Sequence, residues 1–365
     1  MSDKRSLVSR LYRGETAINF IGSRKWWYLA SAGIVVAALL AILIRGFNFG
    51  IDFKGGSEFS IPISGKHITT SQVDTAITNA KAPSPEAAQK VGTDQIIVDF
   101  GSVSTAEEQQ IRTSVAKELG VDPNKISTTT VGSSWGHDVS VKAIEGLIVF
   151  LIVVSIYIAV RFRWQMAVGA LVGLVHDLVI AAGIYALVGF SVTPSTVVGL
   201  LTILGFSLYD TVVVFDKVAE NAKDIMTTAR MTFGEAANLA VNQTLMRSIN
   251  TSLIGLLPVA GLLFVGVGVL GVGTIEDLAL ILFVGLAAGA YSSLFLCTPV
   301  VVDIVERDPK YKALIKRVQA KRSSEAKRSG GDAAEVATAT TVVRTAPRTA
   351  APAPVPGAKP QRKRK

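Results

Sequence analysis

A single carboxylate, that of Asp210, lies within a stretch that is long and apolar enough to cross a membrane. The stretch covers residues 194–215, and Asp210 is its only acidic residue. On insertion scales an aspartate at the centre of a helix costs about 2.5 to 3.5 kcal/mol, so the side chain must face protein or water. This depth favours a proton or ion site, and an interhelical hydrogen bond is the alternative.

Arg247 is the candidate partner of Asp210. It opens the run Arg-Ser-Ile-Asn-Thr-Ser at 247–252, where the next apolar span starts from the side of the membrane that is nearer to Asp210. Opposite charges at similar depth on adjacent helices are expected to pair, although Arg247 taken alone is explained by its effect on topology. Movement of the arginine, or admission of water, would then switch the proton of the carboxyl on or off.

Three polar residues near this pair are candidates for a supporting role. Ser207 lies one helical turn before Asp210, and Thr251 lies one turn after Arg247, so each shares a helix face with its neighbour. Together with Asn250, their side chains could hold water or accept the proton.

His176 and Asp177 form a second polar group in an apolar span. Both lie near its middle, where a polar side chain needs a partner. A proton relay and a packing contact with a neighbouring helix are equally well supported by this position.

The composition is that of a polytopic membrane protein. The chain has 365 residues, of which 49% are hydrophobic, and a mean hydropathy of +0.43. Its net charge of +9 comes from Lys and Arg clustered at the two ends and between apolar stretches, which is typical of orientation signals and not of a nucleic-acid-binding surface. Cys297 is the only cysteine, so no intrachain disulfide forms, and we predict neither a metal site nor a cofactor.

Six membrane spans are predicted, at residues 26–45, 143–160, 166–188, 194–215, 249–270 and 278–302. Lys and Arg are concentrated before the first span, after the second and after the fourth, so both termini are predicted to be cytoplasmic. The segments 1–25, 216–248 and 303–365 would then lie inside and 46–142 outside. We expect the first span to be an uncleaved helix and not a signal peptide, because it is long and lacks a convincing cleavage site.

Residues 46–142 are the only region long enough for a separate soluble domain. Their patterns predict strands and helices in the order β-α-β-α-β, at 57–64, 71–81, 95–100, 104–119 and 125–131. Ser71 with Asp74, and Ser104 with Glu107, have the spacing of capping boxes. The predicted fold class is therefore an α-helical membrane protein with six spans and one small α+β, ferredoxin-like extracytoplasmic domain.

The exit from the first span is rich in glycine. Gly50, Gly55 and Gly56 stand here with Asp52 and Phe53. Such a stretch permits a tight backbone path, whereas the spacing of a phosphate-binding or dinucleotide-binding loop is absent. We predict a structural turn that joins the domain to the membrane.

Glycine also recurs at four-residue spacing inside the spans. Gly169 with Gly173, and Gly285 with Gly289, have the spacing that lets helices approach closely. We predict that these pairs are packing faces.

The segment 303–365 is basic, then rich in Ala, Pro and Thr, and ends in Arg-Lys-Arg-Lys. We predict that it is largely disordered. Its Lys and Arg residues are expected to contact anionic lipid, each contributing about 1 kcal/mol near the surface. Contact with RNA and a merely solvated tail are the alternatives.

Several motifs, each at the expected helix, resemble those of the SecD/SecF family of protein-export membrane proteins, and of its SecF members in particular. The resemblance covers residues 24–302 and rests on the segments 50–56, 161–164, 176–177, 204–221, 247–252 and 289–299. It implies membership of the resistance-nodulation-division superfamily and a bacterial cell-membrane location. It also implies that Asp210 and Arg247 correspond to the proton-pathway aspartate and arginine of the family.

The same resemblance implies the partners. They are SecD, the SecY/SecE/SecG channel and the unfolded polypeptide in transit, with no nucleic acid as a primary partner and no small-molecule substrate. The chain departs from the family pattern at Lys217, where arginine is usual, at 131–133, which lacks the usual proline, and in the glycine-rich segment 266–273.

The leading hypothesis is a subunit that uses the proton motive force to assist protein export. A proton-driven small-molecule exporter of the same superfamily is an alternative, although the soluble region is small for a ligand cavity. A passive scaffold of the translocon is another, and it predicts that neutralising Asp210 leaves export intact. An enzyme is not expected, since no grouping of nucleophile, base and orienting residue is found.

Overall fold

The computed structural model describes residues 18–63, 67–91, 94–267 and 276–325, together with the backbone of a helix that continues to Val342. In chain order its elements are α1 (Arg24–Arg45), β1 (Asn48–Phe49), α2 (Ile51–Lys54), β2 (Gly56–Pro62), α3 (Thr70–Asn79), β3 (Gln89–Val91), β4 (Gln95–Phe100), α4 (Thr105–Leu119), β5 (Ser127–Val131), α5 (Ser133–Arg161), α6 (Trp164–Val188), β6 (Ser191–Val192), α7 (Pro194–Asn221), α8 (Ile225–Thr228), α9 (Phe233–Ala260), α10 (Glu276–Ser292), α11 (Thr298–Val305) and α12 (Pro309–Val342). A short 3-10 helix, Pro123–Lys125, precedes β5. Of two π-helical turns, Gly261–Val267 continues α9 and Ser293–Cys297 joins α10 to α11.

Six of the described helical stretches are long and apolar enough to cross a membrane, as the sequence predicts. They contain α1, α5, α6, α7, α9 and α10. In the most apolar part of each stretch, 50% of the residues are buried in α6 and 56% in α10, against 11% in α1 and in α5. Helices α6 and α10 are therefore central to the bundle, whereas α1 and α5 are peripheral.

Two of these helices begin well before the predicted spans. Helix α5 starts at Ser133, ahead of the predicted 143, and α9 starts at Phe233, ahead of the predicted 249. The start of α9 is fixed by a capping box between Thr232 and Glu235, a signal that hydropathy does not register. Much of the predicted loop 216–248 is thus helical, and residues 268–270 of the predicted fifth span lie outside the described residues.

The soluble domain is built on an antiparallel sheet in the order β3-β4-β2-β5. Alternate residues of β2 and β4 meet α3 and α4 in one apolar core, which includes Phe59, Ile61, Ile96, Val98, Ile77 and Val115. The predicted α+β class is confirmed. The short strand β3 is an addition that the sequence patterns did not predict.

One of the two predicted capping boxes is present. Ser104 and Glu107 cap α4 reciprocally, as expected. The prediction for Ser71 was wrong, because α3 begins at Thr70 and is capped by Thr69, whose backbone is extended as an N-cap requires. Asp74 does not take part in the cap. Its carboxylate accepts a hydrogen bond of 2.6 Å from the backbone N–H of Ala88 and so anchors the loop between α3 and β3.

A close-packed turn joins the domain to the membrane helices. Strand β1 pairs in parallel with β6, which ties the exit of α1 to the connection between α6 and α7. The backbone N–H of Gly50 extends this pairing with a 3.0 Å hydrogen bond to the Val192 carbonyl. Helix α2 lies against α5, where a Cβ atom at Gly136 would come within 2.9 Å of the Phe53 carbonyl oxygen. Small residues thus set how closely the two helices approach.

The sheet next to this turn holds a carboxyl group that makes the domain sensitive to pH. Asp99 is 8% exposed, and Glu58 faces it across β2 and β4. Burial, then the negative charges of Glu58 and Glu86, raise the pKa of Asp99 to about 7 despite the opposing charge of Lys54. The folded protein therefore binds this proton more tightly than the unfolded chain, and the stabilisation is lost as the pH rises toward 7.

Asp99→Asn is expected to stabilise the domain at pH 8 by a free energy on the order of a few kcal/mol, with no gain at pH 4. The measurement is hydrogen exchange of the β2 and β4 amides in the full-length membrane protein at both pH values. Asp138→Asn, at an exposed acid near the start of α5 and outside the sheet, is a control. Equal protection of Asp99→Asn and wild type at pH 8 would show that Asp99 does not limit stability.

The predicted disorder of 303–365 was wrong for the first part of this segment. Helix α11 extends into it, and α12 begins at Pro309. Tyr311, Leu314 and Val318 are buried at helical spacing in the core of the membrane region, so this part of the segment has an apolar face that composition alone conceals. Residues 343–365, including the terminal basic run, lie outside the described residues.

Candidate functional site

Asp210 lies on α7 and is 3% exposed. Ser248 of α9 donates a hydrogen bond of 2.9 Å to its Oδ1, and Ser293, in the turn after α10, donates one of 2.7 Å to its Oδ2. Each carboxyl oxygen is therefore held by a neutral hydroxyl from a different helix. The prediction that this side chain faces protein or water is confirmed, since it is buried among protein groups.

Glycines allow the helices around this carboxyl to come close. A Cβ atom at Gly289 of α10 would lie 2.8 Å from the Cβ atom of Ser207 on α7, so only glycine permits the observed approach. Gly285 likewise lies against Ile203 of α7, and Gly169 and Gly173 of α6 lie against the helical segment 297–301. Both predicted glycine pairs are thus packing faces in this structure.

Arg247 does not pair with Asp210 in this structure. Its Nη2 donates a hydrogen bond of 3.2 Å to the Tyr209 hydroxyl, and its side chain is exposed. The reason is helical geometry: adjacent residues point roughly 100° apart around a helix, so Tyr209 and Asp210 face different directions. Ser248, the residue next to Arg247, faces the buried carboxyl instead, and the predicted direct ion pair was wrong for this conformation.

Ser207 serves a different carboxylate from the one predicted. It donates a hydrogen bond of 2.6 Å to Oδ2 of Asp177, to which Ser292 donates a second of 2.8 Å. The backbone carbonyl of Ser207 accepts from the Thr211 hydroxyl at 3.0 Å. Asp177 is thus a second buried carboxylate, 2% exposed, held by two serines from α7 and α10.

His176 completes this second group. Its Nδ1 lies 3.1 Å from Oδ1 of Asp177, and its ring stacks on Tyr291 with centroids 5.9 Å apart. The histidine is 5% exposed, and its Nε2 has no hydrogen-bond partner within the part of the chain that the structure describes. The structure therefore brings His176 and Asp177 together with Ser207, which sequence reasoning assigned to Asp210.

Asn250 and Thr251 are not among the residues that hold the two carboxyl groups in the described part of the chain. Both side chains are partly exposed on α9, and among the described hydrogen bonds none joins either of them to Asp210. The residues that sequence reasoning missed are Ser248, Ser292 and Ser293. Their signal was present, since hydroxyl side chains in apolar helices are commonly used to bond across an interface.

The side chains of the two groups are of types that can exchange protons or relay hydrogen bonds. Carboxyl, hydroxyl and imidazole side chains can each gain and release protons or pass on hydrogen bonds. Among residues 18–63, 67–91, 94–267 and 276–325, no cluster of three or more His, Cys, Asp or Glu is placed to hold a metal ion.

Comparison with known proteins places this chain in a family. The C-terminal part of the protein export membrane proteins SecD and SecF matches residues 111–307, and the SecD/SecF GG motif matches residues 40–64. The protein translocase subunit SecF of Streptomyces coelicolor is 47% identical, over 92% of this chain and 89% of that protein. The SecF subunit of Mycobacterium tuberculosis is 42% identical, over 98% of this chain and 86% of that protein.

The fold agrees with a solved structure. The crystal structure of SecDF, a translocon-associated membrane protein from Thermus thermophilus, superposes with a TM-score of 0.72 and 28% sequence identity. The match covers 80% of this chain and 39% of that one. The chain therefore belongs to the SecF family of protein translocase subunits, and it is a multi-pass membrane transport protein and not an enzyme.

Proposed function

We propose that this chain works with SecD and uses the proton motive force to help move secretory proteins through the SecY/SecE/SecG channel and to release them outside the cell. The observation that carries the proposal is the environment of the Asp210 side chain. Its carboxyl is buried at membrane depth and bonded to two hydroxyls, and no Lys, Arg or His side chain of the described residues pairs with it.

The hydrogen bonds around Asp210 suit its protonated form better than its ionised form. A protonated carboxyl suits two hydroxyl neighbours, because all three groups can donate and accept hydrogen bonds. An ionised carboxylate would be a buried charge without a cation, and that is costly unless the helices move to admit water or to bring up the guanidinium of Arg247. Gain and loss of one proton therefore biases two arrangements of α7, α9 and α10.

The proton gradient provides enough free energy for such a bias. One elementary charge crossing the membrane releases about 2.3 kcal/mol per 100 mV. Since about 1.4 kcal/mol changes an equilibrium constant tenfold, one or two protons shift a two-state equilibrium substantially. The β1–β6 pairing and the contact of α2 with α5 give movements of the helices a direct path to the extracytoplasmic domain.

The exposed face of α7 and α9 is proposed to contact SecD. Tyr209 is 53% exposed, and Arg247 is exposed beside it. Because a guanidinium that faces lipid at this depth is costly, we expect a protein partner to cover this face. Ile254 lies two turns from Arg247 on the same face of α9 and is 75% exposed. SecF relatives and the fused SecDF of Thermus thermophilus imply association with SecD, and this face offers it both a charge and apolar surface.

Ile254→Cys is expected to cross-link to SecD when cysteines are placed on the facing helices of the partner. The native Cys297 is 1% exposed and does not compete. Ile156→Cys, on the peripheral helix α5 and 59% exposed, is the matched control. Cross-linking of SecD to position 156 but not to position 254 would place the interface elsewhere.

The cytoplasmic location of both termini and lipid contact by the basic segment are parts of the same proposal. Arg317 and Lys321 of α12 donate to the backbone carbonyls of Met226 and Thr228 in α8. Lys312 and Lys316 remain exposed. They are therefore available to anionic lipid headgroups, and we propose no nucleic acid as a primary partner.

The test of the proposed function is export by cells whose own SecF has been replaced by Asp210→Asn. Accumulation of secretory precursors, with a loss of the response of export to the proton gradient, supports it. Normal precursor processing together with sensitivity to small toxic molecules would favour a small-molecule exporter. Export that keeps its full response to the gradient would leave only a scaffold.

A further inference from the structure

Proton binding at Asp210 alone does not explain why Asp177 and His176 are buried together in the bundle. Asp177 is 2% exposed, yet three side chains converge on it: His176 at 3.1 Å, Ser207 at 2.6 Å and Ser292 at 2.8 Å. Burial of a carboxyl in an apolar bundle is unfavourable, and an apolar residue would pack there without that cost. A structural role does not require an acid and a base side by side.

The two carboxyl groups share their surroundings. The adjacent residues Ser292 and Ser293 donate to Asp177 and Asp210 respectively, and Ser207, one helical turn from Asp210 on α7, donates to Asp177. Both groups therefore meet at one crossing of α6, α7 and α10. Any shift of the serine pair changes the hydrogen bonds of both carboxyl groups at once.

The two groups lie at different depths. Asp177 is eleven residues from the end of α6 at Val188, or about 16 Å from the extracytoplasmic side. Asp210 is sixteen residues from the start of α7 at Pro194, or about 24 Å from the same side. With the proposed orientation, a proton moving inward reaches the level of Asp177 before that of Asp210.

His176 gives this group a base. A neutral imidazole has one nitrogen that accepts and one that donates, and protonation makes both nitrogens donors. Here Nδ1 faces the carboxyl, while Nε2 is buried and has no hydrogen-bond partner among the described residues. An imidazole with an unused nitrogen beside an ionised carboxylate can take up a proton and leave the pair with no net charge.

We propose that Asp177 and His176 form a second proton-binding site, which receives protons from the extracytoplasmic side and passes them to Asp210. The proposal rests on the proposed proton-driven function. In the transfer, the carboxyl of Asp177 loses a proton and the carboxylate of Asp210 gains one. The intervening serine hydroxyls, with a water molecule where a gap must be bridged, each accept one proton and release one, so the charge balances.

Among the described residues, the ionisable groups tied to this site are Tyr291 on α10, which stacks on His176, Cys297 in the turn after it, and Asp210 on α7. Helix α11, which also packs against α6, carries Asp303, whose partners are Tyr28 and Arg24 on α1. The central parts of α1 and α5, at 29–44 and 146–156, contain no ionisable residue. If substitution of Asp177 changes the pH dependence of export, few other ionisable groups could account for the change.

The experiment measures export driven by the proton gradient in membranes that contain SecD and full-length variants, as a function of pH on the extracytoplasmic side. Asp177→Asn is expected to lower the gradient-driven rate on the order of 100-fold, the scale of a positioned proton-transfer group. Export without a gradient is expected to stay unchanged. Asp177→Glu is expected to restore activity with a shifted pH profile, and Asp216→Asn, an exposed acid on α7, serves as control.

A purely structural role gives a different result. Asparagine still accepts a hydrogen bond at this position, so gradient-driven export by Asp177→Asn at the wild-type rate and pH profile would overturn the proposal. If that variant alone is unaffected while Asp210→Asn is inactive, the second site fails and the proposed function stands; if both are unaffected, both fail. Should Asp177→Asn not accumulate with SecD, infrared difference spectra decide: a titrating carboxyl band that shifts in Asp177→Glu supports the site, and no such band overturns it.

Discussion

Asp210→Asn is expected to assemble with SecD at the wild-type level and to lose the proton-driven part of export. The substitution keeps the size and shape of the side chain, and an amide can accept from one of the serines Ser248 and Ser293 and donate to the other. It cannot, however, gain or release a proton. At about 2.3 kcal/mol per charge per 100 mV, the lost coupling corresponds to more than a tenfold change in rate at ordinary membrane potentials.

The measurement is the rate of precursor export in vesicles with and without a proton gradient. Asp216→Asn is the matched control, because Asp216 lies on the same helix but is exposed and paired with Arg161. This control should respond to the gradient like the wild type. A full response by Asp210→Asn would remove the proton-binding role from this residue.

Gly55→Ala is expected to disrupt the turn between the domain and the membrane. Gly55 has φ +74°, and a Cβ atom there would lie 2.6 Å from Cα and 2.9 Å from N of Ser133. The backbone conformation alone costs a non-glycine residue about 1 to 3 kcal/mol. The collision is with the backbone at the start of α5, which cannot rotate away as a side chain can, so the start of α5 must move.

The expected readout is protease cleavage at the turn in membrane vesicles, together with loss of export. Gly46→Ala separates the two causes, since Gly46 has a similar φ of +70° but open space around its Cβ position. Gly132→Ala, with φ −67° and no atom closer than 4.0 Å, has neither problem. Equal cleavage of Gly55→Ala and Gly46→Ala would mean that backbone strain, and not contact with α5, disrupts the turn.

The helical spans and the domain class follow from local properties of the sequence. Long apolar runs are forced into helices because lipid offers no hydrogen-bond partners, and alternation of apolar residues defines the strands of the sheet. The starts of α5 and α9 could not be found this way, because both helices continue through polar residues outside the apolar run. The burial of α12 through Tyr311 and Leu314 was likewise invisible to composition.

The sequence by itself determined that Asp210 and Asp177 are carboxylates at membrane depth and that each needs a polar partner, since hydrophobicity and helical rise set depth without reference to other helices. Only the tertiary structure decided the partners. Ser248 and Ser293 serve Asp210, Ser207 and Ser292 serve Asp177, and Arg247 meets Tyr209. The physical reason is that partners depend on the rotation and crossing of neighbouring helices, which here follow from close approach at glycines such as Gly289.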